Sequence, residues 1–262
     1  MPPVAAVHAA LSITTGRAVL IALAGLGAGI VNGVAGGGTM VSFPALLGLG
    51  YPALSANMTS TVGIWPGYVG GVAGFRREVS SQRVRVLWLL PASVVGSVGG
   101  AALLLTTSQA VFARLAPWLI LAATVLFAVQ PLLRHVVAGV SHDHPTRSWF
   151  AQGGTFVASL YGGYFGAGLG VLFLAVLGLA LPDTITRSSG LRAALSVIVN
   201  AVAALVFIVR GDLVWQVVAL LAAGSIVGGI VGSTASRRIP AVALRVVVIC
   251  IGAATAAKLL TG

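Results

Sequence analysis

Long apolar runs separated by short gaps fill almost the whole of this chain. Six of them have the length of one membrane-spanning helix: 55–75, 84–106, 113–133, 187–209, 214–234 and 241–260. A helix of about 20 apolar residues crosses the hydrocarbon core of a bilayer. This succession of runs predicts an all-α integral membrane protein, a polytopic helical bundle, and it constrains the fold more than any other feature.

The shortage of charge excludes a water-soluble globule. Only 7% of the 262 residues are charged, whereas soluble domains carry about 25%. The net charge of +11 comes almost wholly from arginines in the gaps between apolar runs. That placement is typical of cytoplasmic loops of membrane proteins rather than of nucleic-acid binding. We expect a multi-pass membrane protein, with the lipid bilayer and no nucleic acid as its partner.

Two further runs, 18–50 and 149–181, are too long for one ordinary span. Glycines interrupt each of them, at Gly36, Gly37 and Gly38 in the first and at Gly162, Gly163, Gly166, Gly168 and Gly170 in the second. The interruptions predict that each run forms two helices with a break between them. Whether the broken segments span the membrane or re-enter it is left open.

The two interrupted runs are related by an internal repeat. Residues 33–52 align without a gap on 163–182, and the identical positions in the first segment are Gly33, Gly36, Gly38, Val41, Phe43, Ala45, Leu47, Gly48, Leu49 and Pro52. A duplicated unit with glycine-interrupted helices indicates a transporter whose binding site lies between the repeats. We therefore predict repeat 1 at 17–134, a cytoplasmic polar linker at 135–148, and repeat 2 at 149–261.

Charge predicts how the halves are oriented. Five segments in each half would invert the second half and leave only Arg17, Arg114, Arg210 and Lys258 outside. The inside would then hold Arg76, Arg77, Arg83, Arg85, Arg134, Arg147, Arg187, Arg192, Arg237, Arg238 and Arg245. Parallel halves would split the same residues more evenly. Because basic residues of membrane proteins concentrate on the cytoplasmic side, the more uneven split favours two inverted repeats of about five segments each.

The glycine breaks predict an anion site. Within a bilayer a broken helix is tolerated only against protein or a polar cavity, and a helix that begins after a break directs free N–H groups towards it. The alternative is that these glycines permit close packing of helices. Matching positions in both halves favour the site, with Gly36, Gly37, Gly38, Gly166 and Gly168 at its centre.

Polar side chains near the breaks complete the predicted site. The neutral candidates are Asn32, Asn57, Thr59, Ser60, Thr61, Ser188 and Ser189, although Ser, Thr and Asn also cap helices. Arg187 and Arg192 are the cationic candidates, because a cation in a spanning segment indicates function and a guanidinium matches an oxyanion. The alternative for both is a structural role, because arginines near helix ends also extend their side chains to the membrane interface. Asn200 lines the path or bonds a neighbouring helix.

Few residues outside this predicted site could take part in catalysis, ion coupling or metal binding. The four acids, Glu78, Asp143, Asp183 and Asp212, lie at or near predicted loops. His135, His142 and His144 in the linker are interpreted as solvated rather than as a metal site. No phosphate-binding, serine-hydrolase or zinc-protease motif is present in the sequence. We expect no metal, no cofactor and no enzymatic activity.

The chain resembles the TauE/SafE family of sulfite exporters. The resemblance rests on Gly29-Ile30-Val31-Asn32-Gly33 before the glycines, Pro44, the patch Ala56-Asn57-Met58-Thr59-Ser60, and their counterparts Gly162–Gly168, Pro182 and Arg187-Ser188-Ser189. It implies a permease of the bacterial plasma membrane for small anions such as sulfite, sulfoacetate and other organosulfur compounds. The expected function is export of such an anion, driven by membrane potential or a proton gradient. A passive channel and an accessory membrane subunit are the alternatives, and a homo-oligomer is a further expectation.

Overall fold

A computed structural model describes residues 13–34, 36–138, 147–181, 185–235 and 241–261. Within these ranges the chain forms eleven α-helices and no strand. In chain order the helices are α1 (Thr15–Val34), α2 (Thr39–Gly48), α3 (Ala53–Ala73), α4 (Arg76–Ser80), α5 (Arg83–Thr106), α6 (Gln109–Ala138), α7 (Arg147–Tyr164), α8 (Leu169–Ala180), α9 (Ile185–Arg210), α10 (Trp215–Ala235) and α11 (Ala241–Thr261).

Equivalent helices of the two halves lie about 130 residues apart. In the described residues α1, α2, α3, α5 and α6 correspond to α7, α8, α9, α10 and α11, while the five-residue α4 has no counterpart. The all-helical class and the glycine-broken helices are confirmed, because the run 18–50 divides into α1 and α2 and the run 149–181 into α7 and α8. The predicted linker 135–148 falls partly in α6 and α7, and its remaining residues 139–146, with His142, Asp143 and His144, lie outside the described ranges.

Six described helices, α1, α5, α6, α9, α10 and α11, are long and apolar enough to cross a membrane. The predicted span 55–75 appears as α3, which has 21 residues but buries a polar stretch, Ser55 to Thr61, against protein. Apolar side chains cover the outer faces: Val84, Trp149 and Val209 are each more than 70% exposed. Such a surface suits acyl chains, and the chain is a multi-pass membrane protein.

Each glycine break is the tip of a helical hairpin. α2 runs back along α1, since Gly27 faces Val41 and Arg17 Nη2 donates to the carbonyl of Leu49 at 3.3 Å. α8 runs back along α7 in the same way, since Gly154 faces Val176. Both breaks are thereby carried into the interior of the bundle.

The equivalent helices α3 and α9 run in opposite directions. Ser55, at the start of α3, donates to the carbonyl of Asp212, which follows the end of α9, at 3.0 Å. At the other end, Gly190 near the start of α9 packs against Glu78, which follows α3. This geometry is compatible with the predicted inversion of the halves, and their orientation in the bilayer stays a prediction.

One end of the bundle gathers arginines from both halves. Gln82 Nε2 donates to the carbonyl of Arg187 at 2.9 Å, which brings the start of α9 to the segment that holds Arg76, Arg77 and Arg83. We call this the arginine-rich end; the charge distribution predicts that it faces the cytoplasm.

The closest helix pairs join different halves. α1 packs along α10, and α5 packs along α7. Three glycines of α1 face three of α10 at the same four-residue spacing: Gly25, Gly29 and Gly33 against Gly224, Gly228 and Gly232. A Cβ atom on any of the six would lie within 3.0 Å of the partner backbone. The two backbones are therefore in direct contact, as in tightly packed membrane helix pairs.

Candidate functional site

The first glycine break is held by the side chain of Asn32. Gly36 has a φ of 72°, a left-handed conformation that favours glycine, and its N–H donates to the carbonyl of Val31 at 3.0 Å. The N–H of Gly38 donates to Asn32 Oδ1 at 2.6 Å. Asn32 thus satisfies a backbone donor that the interrupted helix leaves without an intrahelical acceptor.

The three glycines of this break leave no room for side chains. A Cβ atom on Gly36 would lie 3.0 Å from Arg192 Nη1, and one on Gly37 or Gly38 would overlap Phe127 or Asn32 respectively. The guanidinium of Arg192 therefore lies directly against the backbone of the break. Glycine is needed here for close approach of a functional group, not only for helix packing.

The two breaks meet across the repeats. The N–H of Gly170, in the first turn of α8, donates to the carbonyl of Gly36 at 3.2 Å. Gly166 has a φ of 76° and faces Thr39 and Asn200. Gly168, also left-handed, faces the apolar Ala123 and Leu126. The first break therefore borders a guanidinium, while the second borders neutral polar atoms at Gly166 and apolar side chains at Gly168.

A small cavity lies beside the first break, towards the arginine-rich end. Its walls are formed by Asn32, Gly36, Tyr68, Gly71, Val72, Phe75, Arg192, Ala193 and Ser196. The volume of this cavity is about 10 Å³, which is about what a single water molecule needs. The site is therefore closed in this conformation, and a larger solute requires the helices around it to move.

Buried polar atoms converge on this cavity without satisfying one another. Asn32 Nδ2, Tyr68 Oη, Ser196 Oγ and the nearby Thr39 Oγ1 have no hydrogen-bond partner among the described residues. The Tyr68 hydroxyl lies near Thr39, Asn200 and Arg192. Each buried polar group left unsatisfied costs about 1–3 kcal/mol. Four such groups at one place indicate a site that is completed by a ligand or by water.

The charge of the cavity is positive. Arg192 is only 4% exposed, and it lies five residues beyond Arg187, about 7.5 Å further along α9 at 1.5 Å per residue. Of the acids in the described ranges, Glu78 and Asp212, neither lines the cavity. One guanidinium among neutral hydroxyl and amide donors is an arrangement that selects a small anion.

Of the residues predicted in the first half, Asn32 and Gly36 line the cavity, and the others do not. Asn57 Nδ2 donates to the carbonyl of Tyr164 at 3.0 Å, and Thr61 Oγ1 donates to the carbonyl of Asn57. Ser60 Oγ lies 2.6 Å from Ser42 Oγ, and Thr59 Oγ1 accepts the N–H of Val214. These bonds tie α3 to α2, α7 and the start of α10. None of these four side chains lines the cavity.

The predicted residues of the second half divide between the surface and the site. Arg187 is exposed at the arginine-rich end, Ser188 is buried, Ser189 is partly buried, and none of them lines the cavity. Arg192 does line it. Of the two arginines that the sequence could not separate, only Arg192 is brought to the break at Gly36.

Sequence reasoning missed Tyr68, Ser196 and Thr39. One signal was available: Arg192, Ser196 and Asn200 recur at four-residue spacing, which places them on one face of α9. Tyr68 gave no comparable signal, because an aromatic residue in an apolar run is ordinarily part of a core. Its role depends on contacts between residues far apart in the chain.

Comparison with known proteins gives a consistent result. The family described as "Sulfite exporter TauE/SafE" matches residues 21–259. A "Probable membrane transporter protein" of Haemophilus influenzae is 27% identical over 217 residues, which cover 80% of this chain and 81% of the relative. "Probable membrane transporter protein YfcA" of Escherichia coli K12 is 24% identical over 240 residues, covering 89% and 86%. No solved structure shows a significant match.

Proposed function

The chain belongs to the sulfite exporter TauE/SafE family, and from this premise we propose that it exports a small oxyanion, sulfite or an organosulfur oxyanion. The observation that carries the proposal is the cavity at the first glycine break. Arg192 supplies the charge, and Asn32, Tyr68 and Ser196 supply neutral donors around it.

The donor set suits an oxyanion that must be bound and then released. A guanidinium presents a planar fork of N–H groups to two oxygens at once. The hydroxyl and amide groups add directional bonds without adding charge, so the attraction stays moderate. The backbone of Gly36 forms part of the wall beside these donors, while its own N–H is already donated to the carbonyl of Val31.

The closed cavity favours a carrier over an open pore. An oxyanion with three or four heavy atoms needs more space than one water molecule, so the site has to open before it can be filled. A carrier that exposes its site alternately to the two sides meets this requirement. A passive channel would instead need a continuous path for the solute past Arg192, and the cavity there has a volume of only about 10 Å³.

Membrane potential is the proposed driving force. No described acid lines the cavity to carry a coupled proton or sodium ion. An anion that leaves a cell with a negative interior gains about 2.3 kcal/mol per charge per 100 mV. The alternative is export driven by a proton gradient. The efflux assay described next distinguishes the two driving forces.

The test is sulfite efflux from proteoliposomes of purified protein, with the membrane potential and the pH gradient imposed independently. We expect saturable efflux that follows the potential, with counterflow, and loss of both in Arg192→Ala. Linear, non-saturating flux would support the channel, and activity only with a co-expressed protein would support the accessory subunit. Absence of flux for sulfite and for a panel of organosulfur anions would refute the proposal.

A further inference from the structure

A second space lies on the other side of the last turn of α3. This vestibule has a volume of about 490 Å³ and opens at the arginine-rich end, where Arg76, Arg77 and Glu78 line it. Arg76 and Arg77 are exposed. Two arginines against one acid give the mouth a positive charge, which concentrates small anions near it.

Phe75 lies where the wall of the closed cavity adjoins the wall of the vestibule along the chain. Its ring is partly exposed and lines the cavity beside Gly71 and Val72, whereas its chain neighbours Gly74 and Arg76 line the vestibule. Hydrogen bonds hold the local backbone conformation of Phe75. Its N–H donates to the carbonyl of Val72 at 2.8 Å, and its carbonyl accepts the N–H of Val79 at 2.9 Å. Among the residues that line the cavity, Phe75 is thus the one whose two chain neighbours both line the vestibule.

The segment after Phe75 is attached to the helix that carries Arg192. Glu78 packs against Gly190, and Gln82 Nε2 bonds the carbonyl of Arg187 at 2.9 Å. A movement of α9 that opens the site therefore also displaces residues 75–82. The end of α3 can follow, because Gly71 faces the backbone of Gly33 and Asn32, and Gly74 faces the small Ser233.

We propose that the vestibule is the access route for the anion from the arginine-rich end, and that Phe75 is its inner gate. This proposal rests on the proposed function only for the nature of the solute, because the position of the gate is inferred from the vestibule and the cavity. Arg76 and Arg77 recruit the anion, and the ring of Phe75 has to move before the anion reaches Arg192.

The gate is tested by the accessibility of a cysteine placed in the cavity, which requires no transport activity. Ser196→Cys is introduced together with Cys250→Ala, which removes the natural cysteine. The rate of labelling by the anionic reagent sulfonatoethyl methanethiosulfonate is measured in inside-out and right-side-out vesicles. Phe75→Ala, Phe75→Leu and Phe75→Trp are compared, with the lipid-exposed Phe156→Ala as the matched control.

We expect Phe75→Ala to raise the labelling rate about tenfold, the change that loss of about 1.4 kcal/mol of ring contacts produces. The increase should occur in one vesicle orientation only, with Phe75→Leu intermediate and Phe75→Trp below the parent. An unchanged or absent labelling in Phe75→Ala, or the same increase in Phe156→Ala, would overturn the gate. Correct gating without flux of any tested anion would instead refute the proposed function.

The recruiting role is tested separately by charge. Arg76→Gln and Arg77→Gln should each lower the labelling rate of the gate-opened protein about twofold to threefold at low salt, an effect that salt screens. Arg83→Gln removes the same charge from the same end without touching the vestibule and should change the rate little. Equal effects of all three substitutions would overturn the recruiting role.

Discussion

At the first glycine break Gly36 has a φ of 72°, and at the second Gly166 has a φ of 76°; both lie at the tips of equivalent hairpins. Their surroundings differ. Arg192 and Tyr68 meet the first break beside a cavity. At the second, the Tyr161 hydroxyl donates to the carbonyl of Ala167 at 2.6 Å, and Phe165 packs edge-on against Phe43. The two copies have kept the hairpin, and divergence of the surrounding side chains has placed a buried guanidinium, that of Arg192, at the first break.

The largest effect is expected for Arg192, the charged residue at the first break, in comparison with the exposed Arg187 on the same helix. Arg192→Ala should lower the initial rate of sulfite efflux by about 100-fold or more, since loss of a buried charged partner costs about 2–5 kcal/mol. Arg192→Lys, which keeps the charge but loses the fork, should be intermediate. Arg187→Ala is the matched control on the same helix. Efflux from Arg192→Ala at the parental rate would show that the cavity does not bind the solute.

The second prediction compares the two glycines directly. Gly36→Ala and Gly166→Ala should each destabilise the protein by about 1–2 kcal/mol, because both residues are left-handed. Only Gly36→Ala should also raise the KM for sulfite, since its Cβ would lie 3.0 Å from Arg192 Nη1. Thermal unfolding in detergent and efflux kinetics measure the two effects. Equal changes of KM in both variants would mean that the breaks contribute alike to the site.

The third prediction removes one hydroxyl from each break. Tyr68→Phe should raise the KM for sulfite about fivefold, the effect of losing a hydrogen bond of about 1 kcal/mol to the solute. Tyr161→Phe loses its bond to Ala167 and should lower the thermal stability while leaving KM unchanged. If KM responds to Tyr161→Phe and not to Tyr68→Phe, the solute lies at the second break.

The smallest expected effect concerns a single neutral donor. Ser196→Ala should raise KM about twofold to threefold, because a hydroxyl that is one of several donors contributes about 0.5 kcal/mol. Ser93, which is equally buried and donates to the carbonyl of Leu89 at 3.0 Å, is the control. A larger effect of Ser93→Ala would indicate that general packing, not solute contact, determines KM.

The repeat and its broken helices could be predicted because glycine spacing is a local signal that survives duplication. Residues 33–52 and 163–182 match closely enough to locate both hairpins. The contact between α1 and α10 was not predicted, because the sequence does not show which helix Gly25, Gly29 and Gly33 meet.

The site could be predicted only in part, because it joins residues that are distant in the chain. Asn32 and the glycines were found from the break itself. Arg187 and Arg192 looked alike, since both are arginines near one helix end, and only packing against Gly36 separates them. Asn57, Thr59, Ser60 and Thr61 formed the densest polar stretch, yet their bonds serve to hold α3 against its neighbours.

The contact between α1 and α10 has a consequence for how the protein is made. The glycine face of α1, which ends at Gly33, is covered by α10, whose first matching residue is Gly224. Synthesis at about 5–20 residues per second separates these two glycines by about 10–40 s. During that time α1 is in the membrane with its backbone stripe uncovered. The nascent first half therefore depends on lipid or on the insertion machinery to occupy the place of a helix that has not yet been translated.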